Sequence, residues 1–167
     1  TEPGRYTLVA DLSGSSLPKG VGYTACLFVH NTKDVAIDCA QHSIVTDGKK
    51  LQEPIRVEKV SNFSIKGCYL DPQGTLSALE IWDSSNGEIS GNTFLPKGVF
   101  ASGGTNLTFR DNTFDRSSLH QKFTSGSRIQ DNIFDFRPPS GKAAFIDGLI
   151  VSIYGNDNII SHNTING

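Results

Sequence analysis

Ile89-Ser90-Gly91-Asn92-Thr93-Phe94 is answered twenty residues later by Phe109-Arg110-Asp111-Asn112-Thr113-Phe114, and again by Ile129-Gln130-Asp131-Asn132-Ile133-Phe134. Ile160-Ser161-His162-Asn163-Thr164-Ile165 is a further copy. Upstream, Ile65-Lys66-Gly67-Cys68-Tyr69-Leu70 keeps the frame with cysteine in the asparagine slot, and Ile37-Asp38-Cys39 opens a looser version. Each phrase is too short for a helix and alternates apolar with polar residues, the period of a half-buried strand. The copies start 28, 24, 20, 20 and 31 residues apart, which is the spacing of a repeat architecture. Such a step holds two or three short strands with their turns and has no room for a crossover helix.

Parallel strands without crossover helices require a coiled chain, in which each strand pairs with its counterpart one coil away, at roughly 4.8 Å. Equivalent positions then stack in files. Asn92, Asn112, Asn132 and Asn163 form one expected file, with side-chain amides bonded along the stack. Asparagine also tolerates the left-handed backbone of a tight corner. Leu70, Phe94, Phe114, Phe134 and Ile165 form the neighbouring apolar file and are expected in the interior.

With these phrases the chain resembles the right-handed parallel β-helix superfamily, the pectin-lyase-like group associated with carbohydrate binding and sugar hydrolysis. Gly4-Arg5-Tyr6-Thr7-Leu8-Val9-Ala10-Asp11-Leu12, followed by Val35-Ala36-Ile37-Asp38-Cys39-Ala40-Gln41-His42-Ser43-Ile44, is similar to the first coils of such proteins. The resemblance covers nearly the whole chain and implies an all-β fold, a right-handed single-stranded parallel β-helix of about six coils. It does not imply one activity, because lyases, hydrolases, epimerases, tailspikes and adhesins share the architecture. The paired-aspartate, Gly-His-Gly and Tyr-Gly-Phe-Asp-Pro-His motifs of its enzymes are not found in the sequence.

The expected organisation is an N-terminal cap and first strand over residues 1–24, then a single β-helix domain over 25–167. The apolar fraction of 37% suits a thin solenoid whose coils bury one side of each strand. A net charge of −2 provides no basic surface for nucleic acid, and no apolar run approaches the roughly 20 residues that span a bilayer. The sequence has no methionine and ends inside a repeat phrase, so it reads as the N-terminal part of a longer β-helix. Further coils of the same polypeptide, or a homotrimer, are the expected partners of its ends. Cys26, Cys39 and Cys68 allow at most one disulfide, and their expected place is in interior files.

Chemistry has to lie on outward files. Counting back eight residues from the anchor isoleucines reaches Val29, Val57, Ile81 and Ala101, which defines a first strand with alternating faces. Its outward residues are Phe28 and His30, Arg56 and Glu58, Glu80 and Trp82, and Phe100 and Ser102. Gln121 falls on an inward slot, so a register break is expected in that coil, with His120 and Lys122 outside; Tyr154 is read as outward in the last coil. Aromatic faces stack on sugar rings, and arginine or carboxylate groups bond hydroxyls or uronates. Phe28, His30, Arg56, Trp82, Phe100 and Tyr154 are therefore the expected ligand-binding residues. A solvated face on which Arg56 and Glu80 simply pair is the plainer reading.

Glu58 and Glu80 are the candidate catalytic pair, because glycosidases use two carboxylates roughly 5 to 9.5 Å apart. Arg56 beside both argues against a general acid there. Asp111 and Asp131 occupy one corner slot in successive coils, where stacked carboxylates repel unless a cation intervenes; calcium is the candidate cofactor. Aspartate is also common at turns for its capping alone, and Arg110 and Arg128 can neutralise the file. The long step after Ile129 carries Phe136-Arg137-Pro138-Pro139-Ser140-Gly141-Lys142, an excursion whose Arg137 and Lys142 are further candidates for anionic sugar.

The leading functional expectation is an extracellular or cell- or virion-surface module that binds polysaccharide along its first-strand face. One alternative is the N-terminal part of a polysaccharide lyase, hydrolase or epimerase. Another is a stalk, an adhesin or a phage or viral surface segment without catalysis.

Overall fold

The computed structural model describes residues 2–13, 25–46, 53–73, 77–136 and 151–167, and every regular element among them is a strand. The excursion bearing Arg137 and Lys142 lies outside the described residues. Three files of strands run along the stack, and every pairing between neighbours is parallel. The repeat phrase builds the second and third files, and the strand inferred by counting back builds the first.

The first file comprises the N-terminal halves of β3 (Leu27–Asp38) and β5 (Ile55–Lys66), then β7 (Leu79–Trp82), β10 (Val99–Ser102), β13 (Leu119–Lys122) and β16 (Val151–Tyr154). The second begins at β1 (Gly4–Thr7), passes through the C-terminal halves of β3 and β5, and continues through β8 (Ser85–Ser90), β11 (Thr105–Arg110), β14 (Arg128–Gln130) and β17 (Ile159–Ser161). The third is a 7-stranded sheet of β2 (Leu12–Ser13), β4 (Ser43–Thr46), β6 (Tyr69–Pro72), β9 (Thr93–Phe94), β12 (Thr113–Asp115), β15 (Ile133–Asp135) and β18 (Thr164–Asn166). The first two files belong to one 11-stranded sheet, because β3 and β5 pass from one file into the other without interruption. The rung count differs slightly from the phrase count: the second file has an additional rung, β1, in which Tyr6 pairs with Ile37.

Register follows the repeat. Ile37, Ile65, Ile89, Phe109, Ile129 and Ile160 are successive partners, as are Ile44, Leu70, Phe94, Phe114, Phe134 and Ile165. Phe94, Phe114 and Phe134 are buried and stack at 5.0 and 4.5 Å between ring centroids. Ile165, expected inside, is 61% exposed because no described strand lies beyond β18.

The asparagine file is a continuous ladder. Asn112 Oδ1 accepts from both the backbone N–H and the side-chain amide of Asn92, and Asn132 and Asn163 repeat this at each step. Each amide also donates to a carbonyl at the turn: Ile65 from Asn92, Ile89 from Asn112, Phe109 from Asn132 and Ile129 from Asn163. Side chains thus satisfy buried corner groups that water does not reach. Cys68 N–H donates to Asn92 Oδ1, and Cys68 is joined by a disulfide to Cys39 one rung away, so a covalent link continues the ladder.

Two interior positions depart from the simple apolar pattern. Gly87 leaves room for the Phe63 ring of the preceding rung, since a Cβ there would collide with the ring atoms. Gln121 does point inward, with no register break: it pairs with Ala101 and Ile153, while His120 and Lys122 face outward as expected. Its amide is 1% exposed with neither polar atom bonded, and Thr124 Oγ1 and Ser127 Oγ in the same coil are likewise buried without partners.

Candidate functional site

Parallel pairing in register aligns the outward residues of the first file into two columns. One reads Phe28, Arg56, Glu80, Phe100 and His120; the other reads His30, Glu58, Trp82, Ser102, Lys122 and Tyr154. All six residues expected to contact a ligand, together with Glu58 and Glu80, therefore lie on one face. Phe28 and Tyr154 are its most open aromatic members, 50% and 64% exposed, and they stand at opposite ends of the face.

The centre of this face is a connected polar network. Arg56 Nη2 donates to Glu58 Oε2 at 3.2 Å, and Arg56 Nη1 reaches Glu80 Oε2 at 3.4 Å. Trp82 Nε1 donates to the same Glu80 oxygen at 2.9 Å. The Arg56 guanidinium lies 5.7 Å from the Trp82 ring centroid, and Trp82 meets Phe100 at 5.2 Å with a 50° tilt. At the near end His30 lies 3.9 Å from Glu58 and packs against Phe28 at 5.3 Å. Hydrogen bonding and ring contacts fix the indole plane beside a charge network.

This arrangement weighs on the catalytic expectation. A single guanidinium engages both Glu58 and Glu80, and Glu80 is buried. A buried carboxyl that sequence reasoning missed is Glu53. It is 3% exposed and its Oε2 has no hydrogen-bond partner among the described residues. Burial pushes its carboxyl above the ordinary glutamate range, and the charge of Glu80 adds to the rise, while its own backbone N–H and Arg56 pull the other way. The available signal was its slot. Glu53 stands two residues ahead of β5 as Ser77 stands ahead of β7, and both sites are buried.

Above the network a cavity of about 380 Å³ opens, lined by Ser77, Glu80, Trp82, Lys97, Val99, Phe100 and His120. The aromatic pair forms one wall. Lys97 comes from the corner before β10, and His120, whose Nε2 lies 3.0 Å from Ser118 Oγ, comes from the rung beyond. Lys97 has φ 113°, a conformation side-chain-bearing residues rarely adopt. The next residue, Gly98, has φ 66° and passes so close to Ser118 that a Cβ would meet its carbonyl oxygen.

The acidic corner is separate. Asp111 and Asp131 sit at successive corners with φ 55° and 57°, and Asp111 is bonded to Arg110 Nη1 at 2.6 Å. Arg110 also bonds Glu88 at 2.7 Å, so its charge is shared between two carboxylates. Among the described residues no group of three or more His, Cys, Asp or Glu side chains is placed to hold a metal ion.

A family model described as NosD, periplasmic copper-binding protein, matches residues 31–167. No curated protein and no solved structure matches the chain. The match takes in every coil from the asparagine-bearing corner of β3 onward, and the stacked parallel strands are the right-handed β-helix architecture of that family. On these grounds the chain belongs to the NosD family of parallel β-helix proteins.

Proposed function

We propose that this chain is a polysaccharide-binding β-helix module acting outside the cytoplasm, with the first-strand face as its binding surface. The observation that carries this reading is the Trp82–Phe100 pair, held at 5.2 Å beside a cavity and fixed by the Trp82 Nε1 bond to Glu80. A pre-set aromatic wall needs little ordering on binding, and its apolar faces match those of sugar rings. Parallel stacking repeats the face at each rung, which suits a polymer. The engagement of both Glu58 and Glu80 by Arg56 supports binding over bond cleavage. A disulfide between Cys39 and Cys68 fits an oxidising compartment, as does the periplasmic description of the family.

The family description also names copper, and the donors among the described residues do not fit that metal. Copper sites draw on histidine, thiolate and thioether ligands. This sequence has no methionine, Cys39 and Cys68 are joined in a disulfide, and the described residues gather no three-ligand group. No step of the proposed function passes through copper.

Affinity electrophoresis in gels cast with a panel of polysaccharides tests the reading. The wild type is retarded by at least one polymer, and Trp82→Ala loses that retardation. Equal retardation of wild type and Trp82→Ala in every gel would overturn it.

A further inference from the structure

We propose that the cavity between Trp82 and Lys97 receives an oxyanion-bearing residue of the bound glycan, a sugar carrying a carboxylate, sulfate or phosphate group. This deepens the glycan-binding reading and rests on it. Three independent features of the cavity point to a charged sugar over a neutral one.

First, the cavity is asymmetric in chemistry. The Trp82 and Phe100 rings supply an apolar wall, while Lys97 and His120 are basic groups from two successive rungs on the same lining. Second, the acidic member of the lining is already engaged, because Glu80 Oε2 accepts from both Arg56 and Trp82. Lys97 has no ion pair among the described residues, and His120 is bonded to the neutral hydroxyl of Ser118. An entering anion therefore meets Lys97 and His120 with no ion-paired carboxylate on either among the described residues. Third, Lys97 occupies a strained backbone position, φ 113°, directly before a glycine that must pack against Ser118. Backbone strain of this kind costs on the order of 1–3 kcal/mol and persists where the surroundings enforce it, typically at ligand sites. Here it stands at a residue of the cavity lining.

The stacking geometry sets what fits. Lys97 lies at the corner before β10 and His120 on β13 one rung on, so the two reach the same cavity from different positions on adjacent rungs. The ring of the same sugar lies against Trp82, Lys97 gives a charge-assisted bond to its substituent, and His120 offers a ring N–H to the same group. Neighbouring sugars of the polymer then extend along the columns toward Phe28 and Tyr154.

The test measures dissociation constants of the full chain for polygalacturonate, dextran sulfate and neutral dextran by affinity electrophoresis at two salt concentrations. The inference expects tighter binding to at least one acidic polymer than to dextran. It also expects Lys97→Gln and His120→Asn each to weaken that binding about tenfold, the loss of one hydrogen bond to a charged group. Added salt narrows the gap between wild type and variants, and Lys97→Arg restores most of the affinity. Which polymer responds identifies the substituent as carboxylate or sulfate. If Trp82→Ala weakens binding to a polymer while Lys97→Gln and His120→Asn leave it unchanged, the oxyanion assignment falls and the glycan reading stands. If Trp82→Ala changes nothing, both fall. Circular dichroism of Lys97→Gln checks that its coil is intact, and His120→Asn, which lies outside the strained corner, gives an independent reading of the same oxyanion contact.

Discussion

Asn112 is bonded on both sides along the stack, and its loss would be felt at three places. Its Oδ1 serves Asn92 twice, and its amide serves Ile89 and Asn132. Asn112→Ala strands buried donors and an acceptor, each costing about 1–3 kcal/mol. A stability loss of roughly 3 kcal/mol or more in urea unfolding is expected, against a small effect for the exposed Asn106, whose side-chain amide donates to Asn86. Glu53 carries the second residue-scale prediction. Its carboxyl titrates above the ordinary glutamate range in the folded chain, so the folded state holds that proton more tightly than the unfolded state does. Stability from this group is therefore full below the unfolded value and is lost as pH rises through the folded one. Asp11 and Asp38, held low by bonds from Ser43 and from Lys66, act in the opposite sense at acid pH. Glu53→Gln leaves those two untouched. The urea midpoint of wild type minus variant should fall from acid toward neutral pH, and a difference independent of pH would refute the assignment.

At the scale of the element, strand periodicity was legible because the long strands and most of the short ones alternate between two faces. Val29, Val57, Ile81 and Ala101 are all buried, and Arg56 and Trp82 lie outside. Corners were less legible, since their lengths set the phase of the next strand and no alternation constrains them. The first corner carries Ala40 and Gln41, both at positive φ, where later corners pass through one fewer pair of residues. That difference hid the pairing of Cys39 with Cys68. Glu53 and Lys97 are corner residues as well, and no strand pattern marks them. Gln121 was legible by counting, but an unbonded buried amide is costly enough that a register break was the simpler expectation. Its position makes a prediction: Gln121→Leu, placed between Ala101 and Ile153, should raise the melting temperature by a few degrees, as about 1 kcal/mol does for a chain of this size. Gly87→Ala should do the reverse by about 1–3 kcal/mol, because Phe63 occupies the space of the added methyl group. Combining it with Phe63→Leu should recover part of that loss, the non-additivity expected of residues in contact.

Across the whole molecule, stability is spread along a line, each rung touching its neighbours on either side. The Cys39–Cys68 link joins two of the N-terminal rungs across a sequence separation of 29. Closing a loop of that size stabilises by about 3–4 kcal/mol in the chain-entropy account. Reduction, or paired replacement by alanine, should lower the urea midpoint and free the amide hydrogens of β3 and β4 to exchange first. The wall of Trp82 and Phe100 lies farther along the stack, so glycan retardation should survive reduction under conditions where the chain stays folded. Loss of binding together with the disulfide would show that the rungs are not energetically separable.

Asn92, Asn112 and Asn132 are separated by twenty residues at each step, which makes the middle of this protein a ruler with equal divisions. A duplicate of one division inserted after Lys122 would lengthen the ruler and leave the cavity whole. The same duplicate inserted between Trp82 and Phe100 would part the two rings and place a new outward pair between them. Recognition in such a chain is thus edited by where a division is added or removed, and the fold accepts either edit on the same terms.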